Sequence, residues 1–194
     1  MFQDLDSTLS TLLMTRLPAN LAEQISISFV TPDDQFPPTS VTPPVVNLFL
    51  YDMSENRELR STVPVTERQL DGRVLSYPAP VRVDCSYLVT AWPKSGVPSP
   101  DQDEHRILGE VLRVLLRFRE IPVEALEGSM KDLRFPIRTV VAPMSNSQSR
   151  GELWQALHGK PRAAIRYVVT LYLDVEGPED AGRNTSDLRV APPA

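Results

Sequence analysis

The chain is poor in the residue types from which most active sites are assembled. Its 194 residues include one cysteine, two histidines and eight glycines. The lone thiol, Cys85, excludes an intrachain disulfide and fits a reducing compartment. With Val83, Tyr87 and Leu88 around it, Cys85 reads as a small buried hydrophobe. His105 and His158 have neither a cysteine nor a second histidine at ligand spacing, so no metal centre is expected. Gly128, Gly151 and Gly159 are too scattered for a phosphate-cradling loop, and no Walker or dinucleotide fingerprint occurs, so no cofactor is expected either. A formal charge of −5 with a pI near 5.1 gives no basic footprint for nucleic acid. No apolar run approaches the ~20 residues of a membrane span, which argues against direct membrane insertion. The start, Met-Phe-Gln-Asp-Leu-Asp, lacks a basic n-region. A cytoplasmic protein is the expectation.

Proline is the one excess, with 19 residues gathered in clusters such as Pro37-Pro38, Pro43-Pro44 and Pro192-Pro193. Long stiff loops between regular elements account for it. Otherwise 41% hydrophobic and 23% charged residues are ordinary, and the length suits one domain with a real core.

Hydrophobic spacing divides the chain into elements. Phe2, Leu5, Leu9, Leu12, Leu13 and Leu17 recur at steps of three and four, predicting a helix over 2–17 that Pro18 ends. Ile25 to Val30 alternates as a half-buried strand with Ile25, Ile27 and Phe29 on one face, and residues 31–44 form a proline loop. Val45 to Met53 is apolar almost throughout, which predicts a central strand covered on both faces. Glu55 to Gly72 is charged and ambiguous; an extended hairpin arm turning at Asp71-Gly72 is one reading. Val81 to Trp92 is a strand, read as the partner of 45–53 across that arm.

Ser99 to Glu104 opens a helix carrying Ile107, Leu108, Val111, Leu112, Leu115, Leu116 and Phe118. A strand over Phe135–Ala142, a helix over Ser149–His158 with Gly159 as C-cap, and an alternating strand from Ala163 to Val175 follow. The fold class is α+β: a single mixed, mainly antiparallel sheet of about five strands, with three helices packed mostly on one face. Residues 1–176 form the domain, and 177–194 read as a disordered polar tail.

The residues with catalytic potential fall apart on inspection. Asp103, Glu104 and His105 are consecutive on a helix, point in different directions and read as solvated first-turn groups. Ser147 to Gly151 lacks the leading Gly-x-Ser of a nucleophile elbow. Asp33-Asp34 lies in a proline loop, where a solvated surface is the default. The sequence therefore reads as non-enzymatic. Trp154 reads as core, while Trp92, beside a long loop, is evenly balanced between core and interface. Glu55, Arg57, Glu58 and Arg60 are either a solvated charged turn or an arm that docks on a neighbouring subunit through arginine–carboxylate forks.

Several blocks resemble a known family. Asn47-Leu-Phe-Leu-Tyr-Asp52, Glu55-Asn-Arg-Glu-Leu-Arg60, Tyr87-Leu-Val-Thr-Ala-Trp92, the helix from His105 and Leu153-Trp-Gln-Ala-Leu157 are together similar to the tail-terminator, or cap, proteins of extracellular contractile injection systems of the antifeeding prophage and Photorhabdus virulence cassette type. The resemblance covers about residues 2–176. It implies a structural cap that ends the inner tube and contractile sheath, forms a hexameric ring, and holds terminal sheath subunits by strand or arm exchange. Its implied partners are further copies of itself, the sheath protein and the inner tube protein. Carried onto the matching blocks, it makes Glu55, Asn56, Arg57, Arg60 and Trp92 the expected interface residues. The chain ends sooner after its last strand than longer members do, so functions of an added C-terminal region do not carry over. The alternative reading is a monomeric adaptor or cargo-binding module of the same kind of particle.

Overall fold

The computed structural model describes residues 1–58, 63–70, 73–143, 147–175, 177 and 179–183. The chain divides into two compact units, one formed by Met1–Ser54 with Asp84–Leu171, the other by Glu55–Val83 with the chain from Tyr172.

In the first unit, helix α1 (Phe2–Arg16) buries Leu5, Leu9, Leu12 and Leu13 at the expected helical spacing. Each such leucine contributes roughly 1.5–3 kcal/mol by leaving water. Thr8 is buried on the same stripe and satisfied there, its hydroxyl accepting from the Glu127 amide at 2.9 Å. Pro18 stops α1, and a single turn, α2 (Ala19–Ala22), leads into β1 (Ser26–Ser28). β2 (Val45–Glu55) and β5 (Val81–Trp92) are the long strands. Helix α3 (Pro100–Arg117) follows, with Pro100 in its first turn and Asp101 and Asp103 suiting its dipole. Two 3-10 turns, Val123–Ala125 and Gly128–Asp132, precede β6 (Arg138–Ala142), α4 (Ser147–Ala156) and β7 (Ile165–Leu173).

These strands form the expected five-stranded mixed sheet in the order β1-β2-β5-β7-β6. β1 runs parallel to β2 with Ser26 beside Val45, and β6 runs antiparallel to β7 with Val140 beside Val168. β2 and β5 are neighbours, as read from the sequence.

Several local expectations change. β2 is covered only over Val45–Leu48; Asp52 to Glu55 are exposed, beyond the three residues that β1 accompanies. In β1 it is Ser28 that is buried, while Ile27 and Phe29 are half-buried. Leu116 of α3 is exposed and Val114 takes a core position instead, since the helix turns 3.6 residues per turn past its neighbours. β6 starts later than Phe135, consistent with Pro136, which has no N–H for a ladder. α4 ends before His158, and it is His158 that takes the left-handed conformation, at φ 53°. Gly159 is required for a different reason: a Cβ there would lie 2.9 Å from the Pro32 carbonyl oxygen and 3.1 Å from the Trp154 ring.

The second unit adds strands for which the apolar pattern gives no signal. β3 (Val65–Arg68) and β4 (Arg73–Tyr77) pair antiparallel within the arm, with Val65 beside Tyr77. Asp71 and Gly72, read as its turn, lie outside the described residues. β8 (Glu179–Arg183) pairs with β4 and completes a three-stranded sheet, β3-β4-β8. It occupies part of the stretch read from composition as a polar tail; residues 184–194 lie outside the described residues. Arg82 stacks its guanidinium 5.2 Å from the Tyr172 ring centroid within the same unit.

Candidate functional site

The five expected interface residues fall in both units. Glu55 ends β2, and the Asn56 amide donates to the Arg82 carbonyl at 2.8 Å, so the arm leaves β2 still paired. Arg57 is 84% exposed, with Nε 3.8 Å from Glu55 Oε2. An exposed pair at that distance contributes at most about 1 kcal/mol, leaving the guanidinium available to a stronger partner. Arg60 lies outside the described residues.

Trp92 belongs to the first unit and sits in a built cluster. Its ring centroid is 4.6 Å from that of Phe36 in the proline loop, tilted by 50°. The Arg162 guanidinium lies 3.6 Å from the ring centroid, and the indole N–H donates to Thr90 Oγ1 at 3.0 Å. Arg162 in turn pairs with Glu104 at 3.0 Å and donates to the Ala91 carbonyl at 3.4 Å. Burial lowers the pKa of Arg162, and the neighbouring carboxylates of Glu104 and Asp101 oppose that shift.

Glu104 corrects the reading of this segment as solvated: it is 6% exposed. A signal existed, because Glu104 precedes Ile107, Leu108 and Val111 by three, four and seven residues and so falls on the apolar stripe. Its basic partner, 58 positions away, carries no such signal.

A cleft of about 670 Å³ runs beside α1, lined by Gln3, Asp6, Ser7, Ser10, Phe29 and Glu127 among others. Burial raises the pKa of Asp6, and the Tyr87 hydroxyl, donating to Asp6 Oδ1 at 2.9 Å, pulls it back in part. Asp4 is held down by hydrogen bonds from the Ser129 side chain and amide and from the chain's amino terminus. Gly128 at φ 51° allows that approach, since a Cβ there would strike the Asp4 carboxylate. In the cleft wall the Thr11 hydroxyl donates to Glu127 Oε1 at 3.4 Å, a long contact that ties α1 to the segment after α3.

The remaining candidates stay apart. His105 and His158 are both exposed, and among the described residues no three His, Cys, Asp or Glu side chains gather as metal ligands. Cys85 is fully buried and burial pushes its thiol up to about 11, which leaves it unreactive at neutral pH. Trp154 is core, as expected. Among the described residues no helix is long and apolar enough to cross a membrane.

The described residues thus form an α+β sheet domain with exposed strand margins and a separate three-stranded unit. The chain belongs to the Pvc16 N-terminal domain family, whose model matches residues 4–186. Two solved structures share the fold. One is the sheath/tube terminator of an extracellular contractile injection system, PVC, in the extended state. It is 26% identical with a TM-score of 0.68, and the match covers 100% of this chain and 64% of that one. The other is the tube-terminating cap of the anti-feeding prophage, 22% identical with a TM-score of 0.63, covering 98% of this chain and 60% of that one. The chain therefore spans less than two thirds of the length of either. No curated protein matches.

Proposed function

We propose that this chain is the structural, non-enzymatic cap that terminates the inner tube and contractile sheath of an injection particle. In this reading it assembles in the cytoplasm as a six-subunit ring on the last tube and sheath rings. It holds the terminal sheath subunits by exchanging strands or arms, with Glu55, Asn56, Arg57, Arg60 and Trp92 at the interface. The observation that carries the reading is the likeness of the whole chain to a sheath/tube terminator at 26% identity, within a family match over residues 4–186.

The physical logic is that of a polymer end. Terminal sheath subunits present unpaired strands that recruit another copy, and a cap stops growth by satisfying those main-chain groups itself. Such a task needs extended backbone and surface charge, not a reactive pocket. Arg57, exposed and weakly paired, has the form of a residue awaiting a carboxylate fork.

Deleting the gene and imaging particles by electron microscopy tests the proposal. Sheaths of irregular length, or bare tubes that never hold an extended sheath, are the expected result. Complete, loaded and uniform particles without the protein would remove it.

A further inference from the structure

The five-stranded sheet of the first unit presents usable backbone at both of its outer margins, and the two margins differ in charge. On one side β1 ends opposite Asn47 while β2 continues to Glu55. The Ser26 amide donates to the Pro44 carbonyl at 2.9 Å, so the even-numbered residues of this stretch turn their backbone groups towards the β1 side. Further along, the Asn56 amide turns to the Arg82 carbonyl of β5, so the alternation shifts within β2; past Asn47 every second residue directs N–H and C=O groups to the side that β1 has vacated. Asp52, Met53 and Ser54 are exposed, Met53 by 53%.

On the opposite margin, the segment 119–121 covers only the beginning of β6. The Thr139 amide donates to the Arg119 carbonyl at 2.8 Å and the Ile121 amide to the Ile137 carbonyl at 2.9 Å. Odd-numbered residues of β6 therefore face outward, and even-numbered ones form the ladder with β7. Before Arg119 the chain departs into α3, which leaves the Thr139 carbonyl and both backbone groups of Val141 facing outward. Beside them stand Val140, 54% exposed, and the exposed arginines Arg119 and Arg138, the latter 3.5 Å from Glu120.

We infer that copies of this chain join head to tail through these margins, the outer half of β2 on one copy pairing with β6 on the next. The occupant is a second copy because the two margins complement each other. Each supplies a short run of outward backbone groups and one exposed apolar side chain, Met53 or Val140. One contributes the carboxylate Asp52, the other the arginines Arg119 and Arg138. A contact between two different surfaces of the same chain closes into a ring when its rotation closes. The inference deepens the ring proposed above and rests on it.

Cysteine pairs test it. Asp52→Cys or Ser54→Cys is combined with Val140→Cys, and the protein is oxidised both purified and on assembled particles. Three strand spacings, about 14 Å, separate β2 from β6 within one chain, beyond the reach of an intrachain disulfide. A denaturing gel should show a ladder of cross-linked copies. Arg138→Glu and Asp52→Arg should each abolish the ladder and the double swap should restore it. Val141→Pro removes only an outward N–H from an edge strand and should weaken association about threefold to tenfold.

Monomer alone in both samples, with the protein still at the particle end, overturns this inference and leaves the cap intact. Disulfides to another particle protein trapped at these sites also overturn it. Absence of the protein from the particle end removes the cap reading, and the purified ladder then decides the contact on its own.

Discussion

The first unit and the second are stabilised in different ways. In the first, Leu5, Leu9, Leu12, Leu13, Val45, Val46, Leu48, Leu88 and Val169 have no solvent exposure at all. In the second, β3 is half-buried to exposed, and Val63 and Leu70 stand in solvent. What organises β3, β4 and β8 is main-chain pairing, with the Arg82–Tyr172 stack beside it. A unit held by burial loses little by surface change and much by core change. A unit held by backbone pairing tolerates side-chain change and offers its edges to others.

Core truncation breaks the comparison hardest. Leu9→Ala should destabilise the chain by about 2–5 kcal/mol, through lost transfer energy and the cavity left behind. Urea unfolding measures it. An equivalent loss from Val63→Ala would show that the second unit also depends on burial.

Next in size is the buried ion pair. Glu104→Ala leaves Arg162 with its desolvation uncompensated and should cost about 2–3 kcal/mol, somewhat less than a fully buried pair because Arg162 keeps some access to water. The emission of Trp92 should shift as the guanidinium over its ring moves. A joint Glu104→Gln and Arg162→Met change should recover most of the stability, since neither partner is then a stranded charge.

Cys85 sharpens the comparison by pH. Its thiol ionises near 9.0 when unfolded and is pushed up to about 11 in the fold. Between those values the unfolded chain releases a proton that the folded chain retains, so stability falls as pH rises from about 9 to about 11. Tyr87 and Tyr167, whose hydroxyls are also raised by burial, add to the decline only above pH 10. Thermal melts of Cys85→Ala should therefore lose the slope between pH 9 and 10 and keep the steeper part beyond. An unchanged slope would show that the thiol is not where the titration lies.

The smallest expected effect on stability is at Arg57. Arg57→Ala should change it by less than about 1 kcal/mol, because the pair with Glu55 is long and exposed. Under the proposed function the same change should reduce capping of sheaths, scored as the fraction of particles with complete sheath. Loss of stability without loss of capping would reverse the assignment of the arm.

Much of the first unit was legible because its elements declare a period. The leucines of α1 state which face is buried and were placed correctly, whereas β7, expected to alternate from Ala163 to Val175, runs over Ile165–Leu173 and buries Val168 and Tyr172 on its other face as well. The strand pair β2 and β5 was legible from long apolar runs instead of a period. What was missed had no period to read. Glu179 to Arg183 is polar and holds a glycine, yet it is a strand because β4 offers it a ladder. Glu104 lay on the apolar stripe in plain sight, but only Arg162 explains why a carboxylate belongs there. That the Trp92 ring meets both Phe36 and Arg162 depends on contacts far apart in the chain.

By itself the sequence determined the long helices and the strands of the main sheet. Those follow from spacing and composition, which act locally along the chain. Tertiary structure alone decided where β1 stops along β2, how far 119–121 shields β6, and which carboxylate meets Arg162. Each of these is a pairing between distant segments. Backbone hydrogen-bonding groups are the same in every residue but proline, so the side-chain order does not announce which of them go unpaired.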